Sequence, residues 1–388
     1  MTILGRPVFD YIVWTADPAV FYISDGGWGP RWYGLLFAAG FLISQQILFR
    51  IFRAEGHQEQ DVETLTVFMV VATILGARLG HVFFYEPAKY LANPLDIFKV
   101  WEGGLASHGA AIGILLALFV YSNFDIKLLQ GQVKRTPRPG QSFLWVVDRI
   151  VIVVALTGAM IRFGNFMNSE IIGKPTGSDY GVVFARNLVD ILENVPSVAE
   201  VEVSERASSV ASTELSDNDI YRPIQVQITF REGGYQEAEI RRFIDSDLKR
   251  ILTGYRSVTE HIYEPPNTPV DAELTQRRGA YVATINTYGI PRHPAQLYES
   301  ATTFMVFLLL LYLWSRMRRE TPEGLLLGLF LIFVFGLRFV HEFFKEDQVD
   351  WEGDIPLNMG QWLSIPLVLI GIYLLLTLKQ RGAKKKTV

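Results

Sequence analysis

Three arginines interrupt apolar sequence near the ends of long hydrophobic runs: Arg78 in GARLGH, Arg162 in MIRFGN and Arg338 in GLRFVHEFF. A guanidinium offers a planar fork of N–H donors that matches phosphate bidentately. Amides accompany two of them: Asn165 and Asn168 follow Arg162, and Gln361 lies in MGQWLS beyond Arg338. Amides hold hydroxyls or ester carbonyls without adding charge. Carboxylates stand close by. Glu170 follows Arg162, Glu342 follows Arg338, and Glu299 shares RHPAQLYES with Gln296 and Tyr298. Such acids can orient an arginine or accept a proton. His108 lies in GGLASHGAAIG, and an imidazole can take or relay a proton. Tyr33 lies in RWYG. The set reads as an anion clamp with acid–base groups beside it.

The elements that must position these residues are membrane spans. Of 388 residues, 49% are hydrophobic, gathered into blocks at Trp32–Phe52, Val62–Tyr85, Leu105–Tyr121, Phe143–Ile161, Ala295–Trp314, Gly324–Phe344 and Trp362–Leu378. Each block is long enough for a hydrocarbon core of about 30 Å. Short loops rich in Lys and Arg stay on the cytoplasmic side. Alternate loops and the tail carry Arg50, Arg53, Lys127, Lys134, Arg135, Arg138, Arg316, Arg318, Arg319, Lys379, Arg381, Lys384, Lys385 and Lys386. The opposite set holds Arg6, Arg31, Lys89, Lys99 and Lys345. The expected fold is therefore an all-α polytopic membrane protein with seven transmembrane helices, N-terminus out and C-terminus in. The start of the chain has neither the basic region nor the cleavage site of a signal peptide, so none is expected.

In this topology the three arginines fall in the outer halves of spans two, four and six. Tyr33, His108, the Gln296–Glu299 group and Gln361 fall at the outer ends of spans one, three, five and seven. Polar groups from seven spans thus reach a similar depth, that of phospholipid phosphates in the outer leaflet. One arginine near a helix end can simply snorkel to headgroups, a reading open for Arg78 above all. Snorkelling does not account for His108 beside Gly109, Ala110 and Gly113, small residues that let a backbone or a ligand come close. Tight helix crossing is the other reading of those glycines. Trp101, Trp351 and Trp362 read as interfacial belt residues. Asp148 and Arg149 read as a mutual pair or an inner-interface contact, and His57 and His261 as solvated loop residues.

The segment Lys174–Arg292 has a different composition. AEVEVSE and PIQVQITF alternate as half-buried strands do, AYVATINTYG is a further candidate strand, and EAEIRRFIDSDLKRIL has helical spacing. SERASSVASTELSDND reads as a mobile loop. The expected organisation is residues 1–173 as spans one to four, 174–292 as an inserted extracytoplasmic α+β head, and 293–388 as spans five to seven with a basic tail. Docking or shielding is the plain reading of the head.

The polar map suits transfer of a lipid group from a phospholipid, with phosphate departing into an arginine clamp. Cysteine is absent, so the chain supplies no thiol nucleophile and no thiolate metal site. Without a zinc spacing, a metal-binding aspartate cluster or a serine–histidine–acid set, a metal-free displacement with no cofactor is expected. A net charge of −4 without a basic stripe argues against nucleic acid as a partner. The alternative is a transporter or lipid flippase with an arginine-lined outer-leaflet site. That class places its site near the midplane, often between inverted repeats, and no repeat is visible here. A cytidine-diphosphate-alcohol phosphotransferase would need a metal-binding aspartate motif. A membrane scaffold would not need seven converging polar turns.

RWYGLLFAAGF, GARLGHVFFYEP, GGLASHGAAIG, RFGNFMNSEIIG, PRHPAQLYE, RFVHEFFKED and MGQWLSIP together resemble the bacterial prolipoprotein diacylglyceryl transferases, through all seven spans. Arg162–Gly173 resembles the signature of that family. Ile161 and Ala110 depart from its pattern, each standing where glycine is usual. The resemblance implies phosphatidylglycerol as donor and the lipobox cysteine of a preprolipoprotein as acceptor. It further implies a thioether product, released glycerol phosphate, and a place in the bacterial cytoplasmic (inner) membrane. Arg162, Arg338 and His108 match positions regarded in the family as essential or nearly so. Tyr33, Asn165, Glu170, Gly173 and Glu342 match further functional positions. Arg78, Asn168, Gln296, Tyr298, Glu299 and Gln361 complete the expected lipid-binding set. The segment 174–292 is longer than the usual head of the family, so its fold and role do not carry over.

Overall fold

The computed structural model describes residues 2–3, 6–7, 11–23, 29–99, 103–104, 106–127, 132–206, 213–216, 219–233, 235–277, 279–346 and 356–385. Leu105, Trp101, Trp351 and much of the loop expected over 204–219 lie outside the described residues. The apolar blocks form helices α1 (Trp32–Glu55), α2 (Glu59–Phe84), α3 (Ser107–Asn123), α4 (Phe143–Met167), α5 (Ala295–Met317), α6 (Leu325–His341) and α7 (Met359–Leu376). Six have the length and apolarity to cross a bilayer, and α3 is apolar but only 17 residues long. The fold is that of a polytopic membrane protein.

The chain divides into two compact units. One comprises Met1–Leu36, Ile161–Ser300 and Val340–Asn358, and the other Phe37–Met160, Ala301–Phe339 and Met359–Val388. The second unit is mostly helical and is built around the N-terminal half of α4, where Val146, Ile150, Ile152 and Ala155 are buried against Phe52, Leu65, Phe307 and Leu310. α2 and α3 cross so closely that an added Cβ on Gly80 would meet the Cα of Gly109 at 2.7 Å, and one on Gly113 the Cα of Gly76 at 3.1 Å. Glycine is needed there because backbone meets backbone.

Arg149 and Glu55 form a buried ion pair in this unit. Glu55 accepts hydrogen bonds from Arg149 Nε (3.1 Å) and Nη2 (2.8 Å) and from the indoles of Trp145 (2.9 Å) and Trp314 (2.6 Å). Asp148 instead accepts from the backbone N–H of Gly324 (2.6 Å) and Leu327 (2.8 Å), capping the start of α6 from a neighbouring helix. Of the two readings of Asp148 and Arg149, a mutual pair or an inner-interface contact, the pair is present only at 3.9 Å, and Glu55 is the nearer partner of Arg149. His57 is also not a solvated residue. It packs edge-on against Trp145 at 4.6 Å, and burial lowers its pKa below the ordinary value.

In the first unit, antiparallel strands β3 (Val198–Glu205), β4 (Asp219–Phe230), β5 (Ile262–Tyr263), β6 (Asp271–Arg277) and β7 (Ala280–Gly289) form one sheet, ordered β5-β7-β4-β3 with β6 also paired to β7. These labels follow β1 (Tyr11–Trp14) and β2 (Gly181–Phe184), which pair in parallel. Alternation decides the faces. Ile224, Val226, Ile228 and Phe230 point inward with Ala283 and Ile285, against helix Arg186–Glu193 and the helical run 237–254. Leu188, Leu192, Ile240, Leu248 and Leu252 close that core. His261 is buried in this unit, 5% exposed, and is not the solvated loop residue that the sequence led us to expect.

Candidate functional site

The first unit assembles a chain of opposite charges. The C-terminal part of α4 carries Arg162, whose Nε stands 2.7 Å from Glu299 Oε2 on the first turns of α5. The other carboxylate oxygen of Glu299 lies 2.5 Å from Lys345 Nζ, and Lys345 is also 3.0 Å from Glu342 Oε1. Asn358 Nδ2 donates to Glu342 Oε2 at 3.2 Å. Glu299, Glu342 and Lys345 are buried, at 6%, 6% and 3% exposure, whereas Arg162 keeps 26% of its side chain accessible. Arg162 and Lys345 thus offset the charge of two buried carboxylates, which would be costly to bury alone.

After Met167 the helix gives way to a strained turn. Ser169 and Ile171 both have positive φ, 54° and 57°, which for a β-branched residue is a true outlier. Such conformations persist only where the surroundings hold them. Here Glu170 N donates to the Asn165 carbonyl (2.9 Å), and Gln296, 0% exposed, donates from Nε2 to the Glu170 carbonyl (2.5 Å). The Glu170 carboxylate accepts from Asn165 Nδ2 and Asn168 Nδ2, each at 3.1 Å. Gly173 then threads between carbonyls: a Cβ there would sit 2.5 Å from the His293 oxygen and 2.6 Å from the Phe344 oxygen. Gly164 lies against Tyr33, where a Cβ would meet the Tyr33 Cα at 3.0 Å. Tyr298 Oη and His293 Nδ1 are 3.3 Å apart, and burial lowers the pKa of His293.

The structure therefore brings together Tyr33, Arg162, Asn165, Asn168, Glu170, Gly173, Gln296, Tyr298, Glu299 and Glu342 within one unit. Sequence reasoning missed Lys345, His293, Arg292 and Asn358 there. Lys345 had counted only as a loop charge. Its spacing of three from Glu342 was the available signal, because i and i+3 share a helical face.

Arg78, His108, Arg338 and Gln361 belong to the second unit. Arg78 is 3% exposed, and its guanidinium donates to the carbonyls of Asp96 (2.5 Å), Ile97 (2.9 Å) and Gly103 (2.6 Å). It lies 5.0 Å from the ring of Tyr90. These bonds clamp the connection between α2 and α3. His108 is exposed at the first turn of α3 and stacks on Tyr85 at 5.8 Å. Arg338 is half-buried near the end of α6, and Gln361 donates to the Phe339 carbonyl at 3.3 Å. Trp362, the belt residue that is described, is 57% exposed.

Residues 18–377 match the family model described as prolipoprotein diacylglyceryl transferase. The chain is 34% identical over 373 residues to the phosphatidylglycerol–prolipoprotein diacylglyceryl transferase of Tolumonas auensis, covering 96% of this chain and all of that protein. The protein of the same name from Chloroherpeton thalassium is 33% identical over 97% of this chain and 98% of its own length. That from Porphyromonas gingivalis is 33% identical over 94% of both.

Proposed function

The chain belongs to the prolipoprotein diacylglyceryl transferase family, and on that premise we infer that it moves the diacylglyceryl group of phosphatidylglycerol onto a prolipoprotein. It is a transferase of lipoprotein maturation. The observation that carries the site assignment is Arg162, tethered through Nε to a buried carboxylate yet a quarter accessible. A guanidinium fixed along one edge still has N–H groups to offer a phosphate, already oriented and without reorganisation at the moment of reaction.

In the proposed reaction the lipobox cysteine thiolate attacks the diacylglyceryl carbon bonded to the phosphate oxygen, on the acylated side of the phosphodiester. A carbon–sulfur bond forms as the carbon–oxygen bond breaks, and the electron pair leaves with glycerol phosphate. The thiol proton passes to a base; the candidates are His108, a carboxylate or the phosphate itself. A thiol of pKa about 8.5 attacks well only once deprotonated. Arg162 and Arg338 take the charge growing on the leaving phosphate. Glu299, Lys345 and Glu342 hold Arg162 in place. Tyr33, Asn165, Asn168, Glu170, Gln296, Tyr298 and Gln361 frame the lipid headgroup, and Gly173 lets the backbone pass. Arg78 acts by clamping the α2–α3 connection, which fits its bonds to three carbonyls better than lipid contact does.

The seven helices are proposed to span the bacterial cytoplasmic membrane with the N-terminus out, the tail in, residues 174–292 as an extracytoplasmic head and the site toward the outer leaflet. The test uses purified protein, headgroup-labelled phosphatidylglycerol and a lipobox peptide. Labelled glycerol phosphate should appear only when the peptide cysteine is present, and chelators should not stop it. Equal release with a Cys→Ser peptide would exclude thiol alkylation. Arg162→Ala and Arg338→Ala should abolish turnover while inserting normally, and full activity in either would remove that residue from the clamp.

A further inference from the structure

Arg292 stands at the junction of four segments. Its side chain is 5% exposed, and it donates from Nε to the Glu260 carbonyl (2.8 Å) and from Nη1 to the Gly173 carbonyl (2.9 Å) and Glu346 Oε1 (2.5 Å). Its backbone exchanges hydrogen bonds with Val182 in β2, at 3.0 and 2.9 Å. Glu260 follows the short helix Arg256–Thr259 beneath the sheet, Gly173 ends the strained turn, and Glu346 follows Lys345 of the charge chain. No role has yet been given to this side chain.

Resting on the transferase reading, we propose that Arg292 is a positioning residue: it holds the Gly173 carbonyl so that the strained turn presents Glu170 and its two asparagines in one geometry, tied to the head. Positive φ at Ser169 and Ile171 is strain that the turn would release if either flank came free. α4 fixes one flank. On the other, Gly173 N donates to the His293 carbonyl (3.0 Å) and Lys174 N to the Phe344 carbonyl (2.8 Å), and the Gly173 oxygen goes to Arg292. A guanidinium suits this position because its planar fork reaches three acceptors at fixed angles and stays charged, whereas an ammonium offers a single point. Losing it removes this donor from the Gly173 carbonyl at the turn and from the Glu260 carbonyl.

The experiment compares wild type, Arg292→Met and Arg292→Lys as full chains in detergent, by steady-state kinetics with phosphatidylglycerol and lipobox peptide and by hydrogen exchange. Arg292→Met should lose roughly ten- to a hundredfold in kcat, the scale of loss from small misplacement. Its KM for phosphatidylglycerol should rise by less than kcat falls, because the residues that frame the headgroup remain present and only their alignment is lost. Amides of Glu170, Gly173 and Lys174 should exchange at least about tenfold faster while those of β4 and β7 keep their protection, since opening is local. Arg292→Lys should recover part of the rate, and it carries the same criteria if the methionine variant does not fold. A wild-type kcat in the folded variant, unchanged exchange at 170–174, or loss of sheet protection together with the turn would overturn the proposal. If the wild type itself releases no glycerol phosphate, the transferase reading fails, while the exchange arm still judges the joint.

Discussion

Arg78 and Arg162 share a side chain and nearly the same sequence setting, an apolar run with glycine close by, yet their surroundings differ completely. Arg78 spends its donors on three backbone carbonyls, whereas Arg162 is held through one nitrogen by Glu299. One sequence can say that both are costly in an apolar stretch. It cannot say whether the compensating partner is backbone or ligand, because carbonyls belong to every residue and carry no sequence signal. His261 illustrates the same gap. It reads as a loop histidine, but burial, and then the nearby Arg292 charge, lower its pKa from 6.5 to about 4. It is therefore neutral in the folded head and protonates more readily when unfolded. The associated stability is fully present above pH 6.5 and is lost as pH falls toward 4, by about 3 kcal/mol in all. Hydrogen exchange of β4 and β7 at pH 7 and pH 4.5 measures it. His261→Phe should flatten that difference, and identical slopes in variant and wild type would assign the pH effect elsewhere.

At the scale of elements, most boundaries were legible. Long apolar blocks became α1 to α7, and PIQVQITF and AYVATINTYG became the two central strands, because period and length are properties of the chain itself. The glycine-rich start of α3 was ambiguous between a site and a crossing, and it serves the crossing with α2 while also presenting His108. A Cβ on Gly109 would stand 2.7 Å from the Gly80 Cα, so Gly109→Val must force the helices apart. Overpacking of this kind costs about 1–3 kcal/mol. We expect a lower melting temperature for Gly109→Val and reduced turnover from a displaced His108. Gly34→Ala, with nothing within 4 Å of the added Cβ, should leave both unchanged. An undiminished melting temperature in Gly109→Val would mean that the α2–α3 contact is looser than described. The partner of Arg149 was not legible: Glu55 lies 94 positions away, and only packing brings them together.

For the whole molecule, the charge bias of the loops predicts sidedness, and the lack of native cysteine allows a direct test. Glu232→Cys in the head should react with a membrane-impermeant maleimide in intact spheroplasts, and Gln60→Cys, at the start of α2, only after permeabilisation. The reverse pattern would invert the proposed orientation. Membrane character, the number of apolar helices and the strand–helix content of the head follow from the sequence by itself, since each depends on composition and period along the chain. Polar residues of the site that lie in or beside apolar runs, such as Arg162, Glu299 and Glu342, could also be picked out there, whereas Lys345 and Arg292, in polar connecting sequence, could not. Only the tertiary structure decided which of them touch: Arg162 with Glu299, Glu299 with Lys345, and Arg292 with Gly173. Those pairings join residues 46 to 137 positions apart, as the numbering shows. Hydrogen bonds and ion pairs depend on distances of a few ångströms, which packing of the helices and the head sets and which spacing along the chain does not encode.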